Sequence, residues 1–316
     1  MTPRIIAIDG GGSKTDYLLA DLEGHVVRTL TGGPTSVSAN NLGQAGYNLR
    51  EGIHQLLENE TETTVKIATI AVAGLDTRKD MTSAEKVFGE VLSDWSLERL
   101  TLVNDSVAAL VNGTTRRPAL VLIAGTGTNC FGWTTTGRTH RVSGLDYLLS
   151  DEGSGYDAGR LAIKAAVRSF DGRSPQTSLQ RVVFEHFEVE TAGQLKDEIY
   201  SPQITKDEVA ALAQSVIQQA RGGDRTAQQI LEYCLGQLIV NVQTVARKLQ
   251  IESQEFGLVI AGNFLLALEP QFRHFLEQTH LHAYVINPGT QPVYGSLTIA
   301  QKLLAGAPID DYQILA

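Results

Sequence analysis

The residues that could do chemistry come in clusters where short apolar runs end. The run Ile5–Ile8 ends in a carboxylate, three glycines and a hydroxylated and basic trio, Asp9-Gly10-Gly11-Gly12-Ser13-Lys14-Thr15. Glycine takes positive φ without a Cβ penalty, so such a turn can aim successive backbone N–H groups into one concavity. A concavity of donors with Ser, Lys and Thr beside it suits phosphate. A second turn of this make, Gly125-Thr126-Gly127-Thr128-Asn129, follows Ala119–Ala124, and a third, Gly262-Asn263, follows Gly257–Ala261. Asn104-Asp105 sits between an apolar run and a short helical pattern. Asp151-Glu152-Gly153-Ser154-Gly155 opens a long helical region.

The elements that must position these clusters exclude two familiar phosphate motifs. A dinucleotide fingerprint or a Walker loop needs a helix directly after its glycines. Here Asp16–Ala20 is another apolar run, and Asp21-Leu22-Glu23-Gly24 turns it into His25–Leu30. The reading is strand, glycine turn, strand, turn, strand. Helices are expected over about 42–57 and 83–94, with strands at Ile67–Ala73 and Leu100–Val103. A short helix over Ser106–Val111 ends this order, and Arg116-Arg117-Pro118 punctuates it. The pattern then restarts as a weak repeat, with strands at Ala119–Ala124, Cys130–Thr134 and His140–Ser143. From about 152 to 249 the chain reads as mostly helical. A strand at 257–261, one helix toward Thr279, a strand at Ala283–Ile286 and a final helix over Val293–Leu304 complete it.

At 316 residues, with 42% hydrophobic and 19% charged residues, the composition is that of a globular chain with room for two domains. The net charge of −9 argues against nucleic acid and against an anionic membrane surface as partners. No apolar run approaches a membrane span, and the first strand starts too early for a signal peptide, so the expected compartment is cytoplasmic. Cys130 and Cys234 are the only cysteines, which supports neither a disulfide framework nor a cysteine-rich metal site. The seven histidines make no motif.

Taken in order, Ile8–Thr15, Asn104-Asp105, Gly125–Asn129, Asp151–Gly155, Gly262-Asn263 and Tyr294-Gly295-Ser296 make the chain resemble the actin, sugar kinase and heat-shock ATPase superfamily. Within it, the chain is similar to the N-acetylglucosamine kinases of the BadF/BadG/BcrA/BcrD ATPase family. The resemblance implies an α/β fold of two ribonuclease H-like (actin-like ATPase) domains with an interdomain cleft. The first would cover 1–117 and be completed by a C-terminal helix over about 293–316. The second would cover 118–292 with a helical insertion. It also implies ATP and Mg²⁺ as cofactors, a small-molecule sugar as substrate and a homodimer.

The same resemblance assigns roles. Asp9 would hold Mg²⁺, a cation that takes few carboxylates and keeps water and phosphate oxygens; the alternative is a turn cap. Gly11, Gly12, Ser13, Lys14 and Thr15 would close on the phosphates of ATP together with Gly125, Thr126, Gly127 and Thr128. Either loop alone could be a plain hairpin turn. Asp105 would be the general base that takes the proton of the attacking sugar hydroxyl, with a helix N-cap as the competing reading. Thr35, Ser36, Asp105, Thr126, Asn129, Asp146 and Asp151 would line the sugar, although Asp151 could instead cap a helix. Gly262 and Asn263 would lie against the adenosine, where a glycine permits close approach of a flat base; an ordinary strand-to-helix turn is the alternative.

Three positions depart from the family's pattern, all on the sugar side. Val37 stands where an Asn is common, Gly144-Leu145-Asp146 replaces a glycine-rich loop, and Ser150 replaces the Gly before Asp151. The expected reaction is transfer of the γ-phosphoryl of MgATP to the 6-hydroxyl of N-acetylglucosamine. Glucosamine or another hexosamine is the nearer alternative, and an ATP-gated activator of a partner reductase the more distant one. Asp146, if it points into the pocket, would favour a substrate ammonium.

Overall fold

The computed structural model describes residues 2–37, 42–60, 63–309 and 312. The chain divides into two compact units, Met1–Arg116 with Ile286–Ala316, and Arg117–Val285.

The first unit is a five-stranded sheet in the order β3-β2-β1-β4-β5. Its strands are β1 (Thr2–Gly10), β2 (Thr15–Ala20), β3 (Val26–Gly32), β4 (Thr63–Val72) and β5 (Leu100–Asn104). The antiparallel β1–β2 pair sets Asp9 opposite Asp16, and β2 pairs antiparallel with β3. The parallel pairs set Gly10 beside Val72 and Val72 beside Asn104, so three carboxyl-terminal strand ends share one edge. Ile5 to Ile8 are all buried, as the centre of a sheet covered on both faces requires. Helices α1 (Leu42–Leu56) and α2 (Arg78–Leu92) bury Leu49, Ile53, Ala84 and Phe88 in one cluster with Ile6, Ile8 and Tyr17. Helix α2 starts five residues before its apolar periodicity suggests. Thr77 caps it and exchanges hydrogen bonds with Asp80, satisfying amides that the first turn leaves unpaired. Helix α3 (Asp105–Gly113) follows β5 without a loop.

The second unit repeats the plan. Its sheet runs β10-β9-β6-β7-β8, the same order as in the first unit read from the opposite edge. The strands are β6 (Ala119–Ala124), β7 (Thr128–Trp133), β8 (Thr139–Ser143), β9 (Phe256–Ala261) and β10 (Ala283–Ile286). The helical stretch resolves into α4 (Gly155–Phe170), α5 (Ser178–His186), α6 (Ala192–Ile199), α7 (Lys206–Arg221) and α8 (Arg225–Leu249). Leu212, Val216, Leu238 and Val242 from α7 and α8 share one core with Leu120 and Leu122 of β6. The single helix expected toward Thr279 is two, α9 (Asn263–Ala267) and α10 (Glu269–Glu277). Pro270 lies in the first turn of α10 and lacks the N–H that an uninterrupted helix would need there. Among the described residues no helix is long and apolar enough to cross a membrane.

The last helix, α11 (Val293–Leu304), belongs to the first unit, where it packs on α3 and β1. Ser296 is fully buried and donates to the Ile8 carbonyl at 2.9 Å. A Cβ at Gly295 would fall 1.9 Å from the Ala108 carbonyl oxygen, so the two helices touch backbone to backbone. Gly295→Ala should therefore cost roughly 1–3 kcal/mol by overpacking. A urea midpoint unchanged from the parent would show that α11 can shift off α3 freely.

Candidate functional site

In both sheets the candidate residues gather at the carboxyl-terminal strand ends, where open α/β sheets bind ligands. In the first unit the turn after β1 is closed by the Gly11 N–H donating to the Lys14 carbonyl at 2.9 Å, while Gly12, Ser13 and Lys14 are exposed at its tip. The segment that carries Thr35 and Ser36 is stitched across the ends of β1 and β4. The Ser36 N–H donates to the Gly11 carbonyl, and the Val37 N–H and Ser36 hydroxyl both donate to the Ala73 carbonyl. Thr35 is fully buried with its hydroxyl 2.9 Å from that of Thr15. Two sugar-side expectations change accordingly. Thr35 braces the turn from inside, and Val37 is part of the apolar core, where an amide would be buried at a cost.

Asp9, at the end of β1, is half-buried. Burial pushes its carboxyl up to about 7, the neighbouring Asp105 and Asp16 carboxylates add to this, and Lys14 opposes it. Asp16 accepts from the Lys14 ammonium and the Thr31 hydroxyl, each at 2.7 Å. At the end of β5, Asn104 is the N-cap of α3, its side-chain oxygen accepting the Ser106 N–H at 3.0 Å. The cap reading of Asp105 is thus corrected. Asp105 is the first helical residue, half-buried, with Oδ1 on the Ser106 N–H at 2.8 Å. A carboxylate at that position lies in the positive end of the helix dipole.

In the second unit the glycine turn after β6 is tied on every side. The Gly155 N–H donates to the Gly125 carbonyl and the Tyr156 N–H to the Thr126 carbonyl, so the start of α4 holds one edge. Asp207, in the first turn of α7, accepts the Thr126 hydroxyl at 2.9 Å. Asp151 is 3% exposed and accepts the Thr128 N–H at 2.8 Å. Its other oxygen takes the Lys206 ammonium at 2.7 Å. The expectation that Asp151 simply presents a carboxylate to sugar hydroxyls is revised: both of its oxygens already hold protein donors. Asp146 is exposed, and its Oδ1 lies 2.6 Å from the same Lys206 ammonium. Partial burial works to raise the Asp146 carboxyl, but Lys206 and the Tyr147 N–H outweigh it and hold it below the usual carboxylate range. The ammonium of Lys206 is raised in turn, because the two carboxylates outweigh its burial. Asn129 packs against Gly144, and its buried Oδ1 has no hydrogen-bond partner in the chain.

A cleft of about 790 Å³ lies within this unit. Gly125 and Thr126 close one end, Asn263, Phe264 and Ala267 form a wall, and α7 lines the length from Asp207 past Gln214 and Gln218 to Arg221. Fourteen helical steps of about 1.5 Å give roughly 21 Å, room enough for a nucleotide laid along the helix. Gly262 has φ +89°, and a Cβ there would fall 2.4 Å from the Ala124 carbonyl oxygen. A side chain there would clash with the neighbouring strand end. Lys206, Asp207, Gln214 and Gln218 escaped sequence reasoning, although the Thr205–Glu208 capping box marks where α7 begins. Cys130 and Cys234 are free and buried, so neither presents a thiolate at the surface. Among the described residues no group of three or more His, Cys, Asp or Glu side chains is arranged to hold a metal ion.

The profile of the BadF/BadG/BcrA/BcrD ATPase family matches residues 6–300. The chain belongs to this family. An N-acetylmuramic acid/N-acetylglucosamine kinase from Clostridium acetobutylicum is 30% identical over 303 residues, covering 94% of this chain and 98% of the relative. An N-acetyl-D-glucosamine kinase from Dictyostelium discoideum is 26% identical over 310 residues, covering 93% and 97%. Among solved structures, a protein from Chromobacterium violaceum superposes with a TM-score of 0.74 at 20% identity, over 94% of this chain and 99% of that one. A ROK family glucokinase from Streptomyces griseus, solved with glucose and AMPPNP, gives 0.54 at 15% identity over 95% and 99%. At those identities the likeness is one of fold.

The Asp9 proton supplies a test of the first unit's electrostatics. Its folded carboxyl keeps the proton to about pH 7, whereas the ordinary carboxyl releases it near 3.8. The folded state therefore binds more protons than the unfolded chain between those values, and stability falls as pH rises through that window. In the absence of divalent cations the melting temperature should decline from pH 4 to 7, and Asp9→Asn should flatten that decline. An identical slope in the variant would assign the buried proton to another group.

Proposed function

We propose that the chain is an ATP-dependent sugar kinase that transfers the γ-phosphoryl of MgATP to the 6-hydroxyl of N-acetylglucosamine. The observation that carries this reading is Asp105, a half-buried carboxylate at the first position of α3 whose capping role Asn104 has taken over. Asp105 Oδ1 also accepts the Ser106 N–H, and its carboxylate, placed at the end of β5, would accept the proton of an attacking hydroxyl. Such base catalysis contributes about a hundred- to ten-thousandfold. The Clostridium relative, named as an N-acetylmuramic acid/N-acetylglucosamine kinase, and the Dictyostelium relative, named as an N-acetyl-D-glucosamine kinase, match nearly the whole chain and support N-acetylglucosamine as the shared substrate.

The donor nucleotide would occupy the cleft along α7, with its phosphates at the Gly125–Thr128 turn and adenosine toward Asn263 and Phe264. Asp9 is the carboxylate that fits Mg²⁺: burial first, and then the neighbouring Asp105 and Asp16 carboxylates, raise its affinity for a proton, so a cation there would be favoured. A single carboxylate suits a cation that keeps water and phosphate oxygens as its other ligands. When bound, Mg²⁺ neutralises charge on the β- and γ-phosphate oxygens. The reaction is a direct displacement: the O6–P bond forms, the bond from phosphorus to the β-phosphate oxygen breaks, ADP leaves, and the hydroxyl proton passes to Asp105.

A coupled ADP-release assay across N-acetylglucosamine, glucosamine, N-acetylmuramic acid and glucose tests the reading. N-acetylglucosamine should give the highest kcat/KM. Asp105→Asn should lower kcat at least a hundredfold while nucleotide and sugar affinities stay within a few-fold. A variant with near-normal kcat would remove Asp105 as the base, and equal ADP release with and without every sugar would remove the kinase.

A further inference from the structure

The first turn of α7 meets the glycine turn with two consecutive side chains, and they hold its two sides separately. Asp207 accepts the hydroxyl of Thr126, which lines the nucleotide cleft. Lys206 reaches the other side, donating to Asp151 Oδ2, while Asp151 Oδ1 accepts the Thr128 N–H. Thr128 also meets the Ser143 hydroxyl at 2.7 Å through its own, and the Asp151 N–H donates to that same Ser143 oxygen. The next residue, Asn129, carries the buried Oδ1 that has no partner in the chain. A buried acceptor without a donor is costly unless a ligand supplies one.

Backbone strain is stored on the Lys206 side. Ser143, Asp146 and Asp151 have φ of +66°, +68° and +74°, the left-handed region that side chains other than glycine avoid. Such conformations persist where the surroundings over-determine them, and they cluster at functional sites. Lys206 bridges two of the three residues. Asp151 is also nearly buried, and that ammonium is its charged partner.

We propose that the first turn of α7 is a two-armed positioning device. Lys206, through Asp151 and Thr128, sets the acceptor side of the site at Asn129, and Asp207, through Thr126, sets the nucleotide side. This rests on the sugar kinase reading. Lys206 and Asp207 are positioning residues that act through their partners. Because they are adjacent on one rigid helix, their effects separate by partner and not by location.

The experiment measures KM for each substrate in Lys206→Met, Lys206→Arg and Asp207→Ala. It also measures Kd for ATP and N-acetylglucosamine by calorimetry without turnover. Lys206→Met should raise KM for the sugar at least tenfold and leave KM for ATP within threefold, and Lys206→Arg should recover most of the loss. Asp207→Ala should show the opposite split. Both constants moving together in both variants, or neither moving, would overturn the device. If Lys206→Met does not fold, Lys206→Met with Asp151→Asn removes the unpaired charge. A sugar KM raised above that of Asp151→Asn alone supports positioning, and one equal to it shows that Lys206 only neutralises Asp151. A parent protein that binds both ligands but transfers no phosphoryl group would refute the kinase reading alone, and the calorimetric split would still judge the device.

Discussion

A backbone turn that offers amides to a ligand cannot satisfy all of its own groups within a sheet or helix, so something else must hold its shape. In the second unit that constraint governs the neighbourhood of β6. The Gly125–Thr128 turn is fixed by the first residues of α4, by Asp207 and by Asp151. Asp151 is almost buried, and a buried carboxylate needs a partner, which Lys206 provides from α7. Helix α7 in turn is placed by Leu212 and Val216 in the core shared with β6. The chain of dependence thus runs from apolar packing to an ion pair and from there to the Thr128 amide.

The first unit meets the same constraint with backbone instead of charge. Its turn after β1 is held by the Gly11–Lys14 hydrogen bond and by the segment at Ser36, whose amide and hydroxyl both donate to main-chain carbonyls. Asn104 caps α3. Asp105 shares in that helix start, its Oδ1 accepting the Ser106 N–H. The two sheets share one strand order and differ in how the turns at their strand ends are held.

How much of this was legible in the sequence follows from range. Apolar runs ending in Gly-rich turns report local geometry, and they located β1, β2, β6, β7 and β9, hence the two-sheet α/β fold. The glycine turn at Gly125-Thr126 and the turn at Asn263 were also legible as ends of strands, and both line the cleft. Caps were less legible: two adjacent residues, Asn104 and Asp105, can each cap a helix, and only the backbone angles decide between them. The partners of Lys206 lie 60 and 55 residues away, so no spacing rule could connect them. For the same reason Asp146 and Asp151 read as open carboxylates when each already faces an ammonium. Gly262 was correctly singled out as a special position, but the atom that demands glycine belongs to a strand more than a hundred residues earlier.

Charge explains why the proposed reaction would need a cation in one unit and a lysine in the other. Around β1 the carboxylates of Asp9, Asp16 and Asp105 influence one another, and Lys14 is the ammonium that acts against them at Asp9. A polyphosphate brought to that edge meets repulsion, and Asp9 responds by holding its proton. Two charges of the same sign at about 4 Å oppose each other by roughly 1 kcal/mol in water and by several times that near a protein surface. A divalent ion reverses the balance because it attracts the carboxylate and the phosphate oxygens at once. Around β6 a single ammonium, Lys206, is shared by Asp151 and Asp146, and Asp207 adds a third carboxylate beside Thr126. The two units thus differ in local charge: carboxylates crowd the end of β1 around Asp9, whereas beside β6 a lysine is set among them.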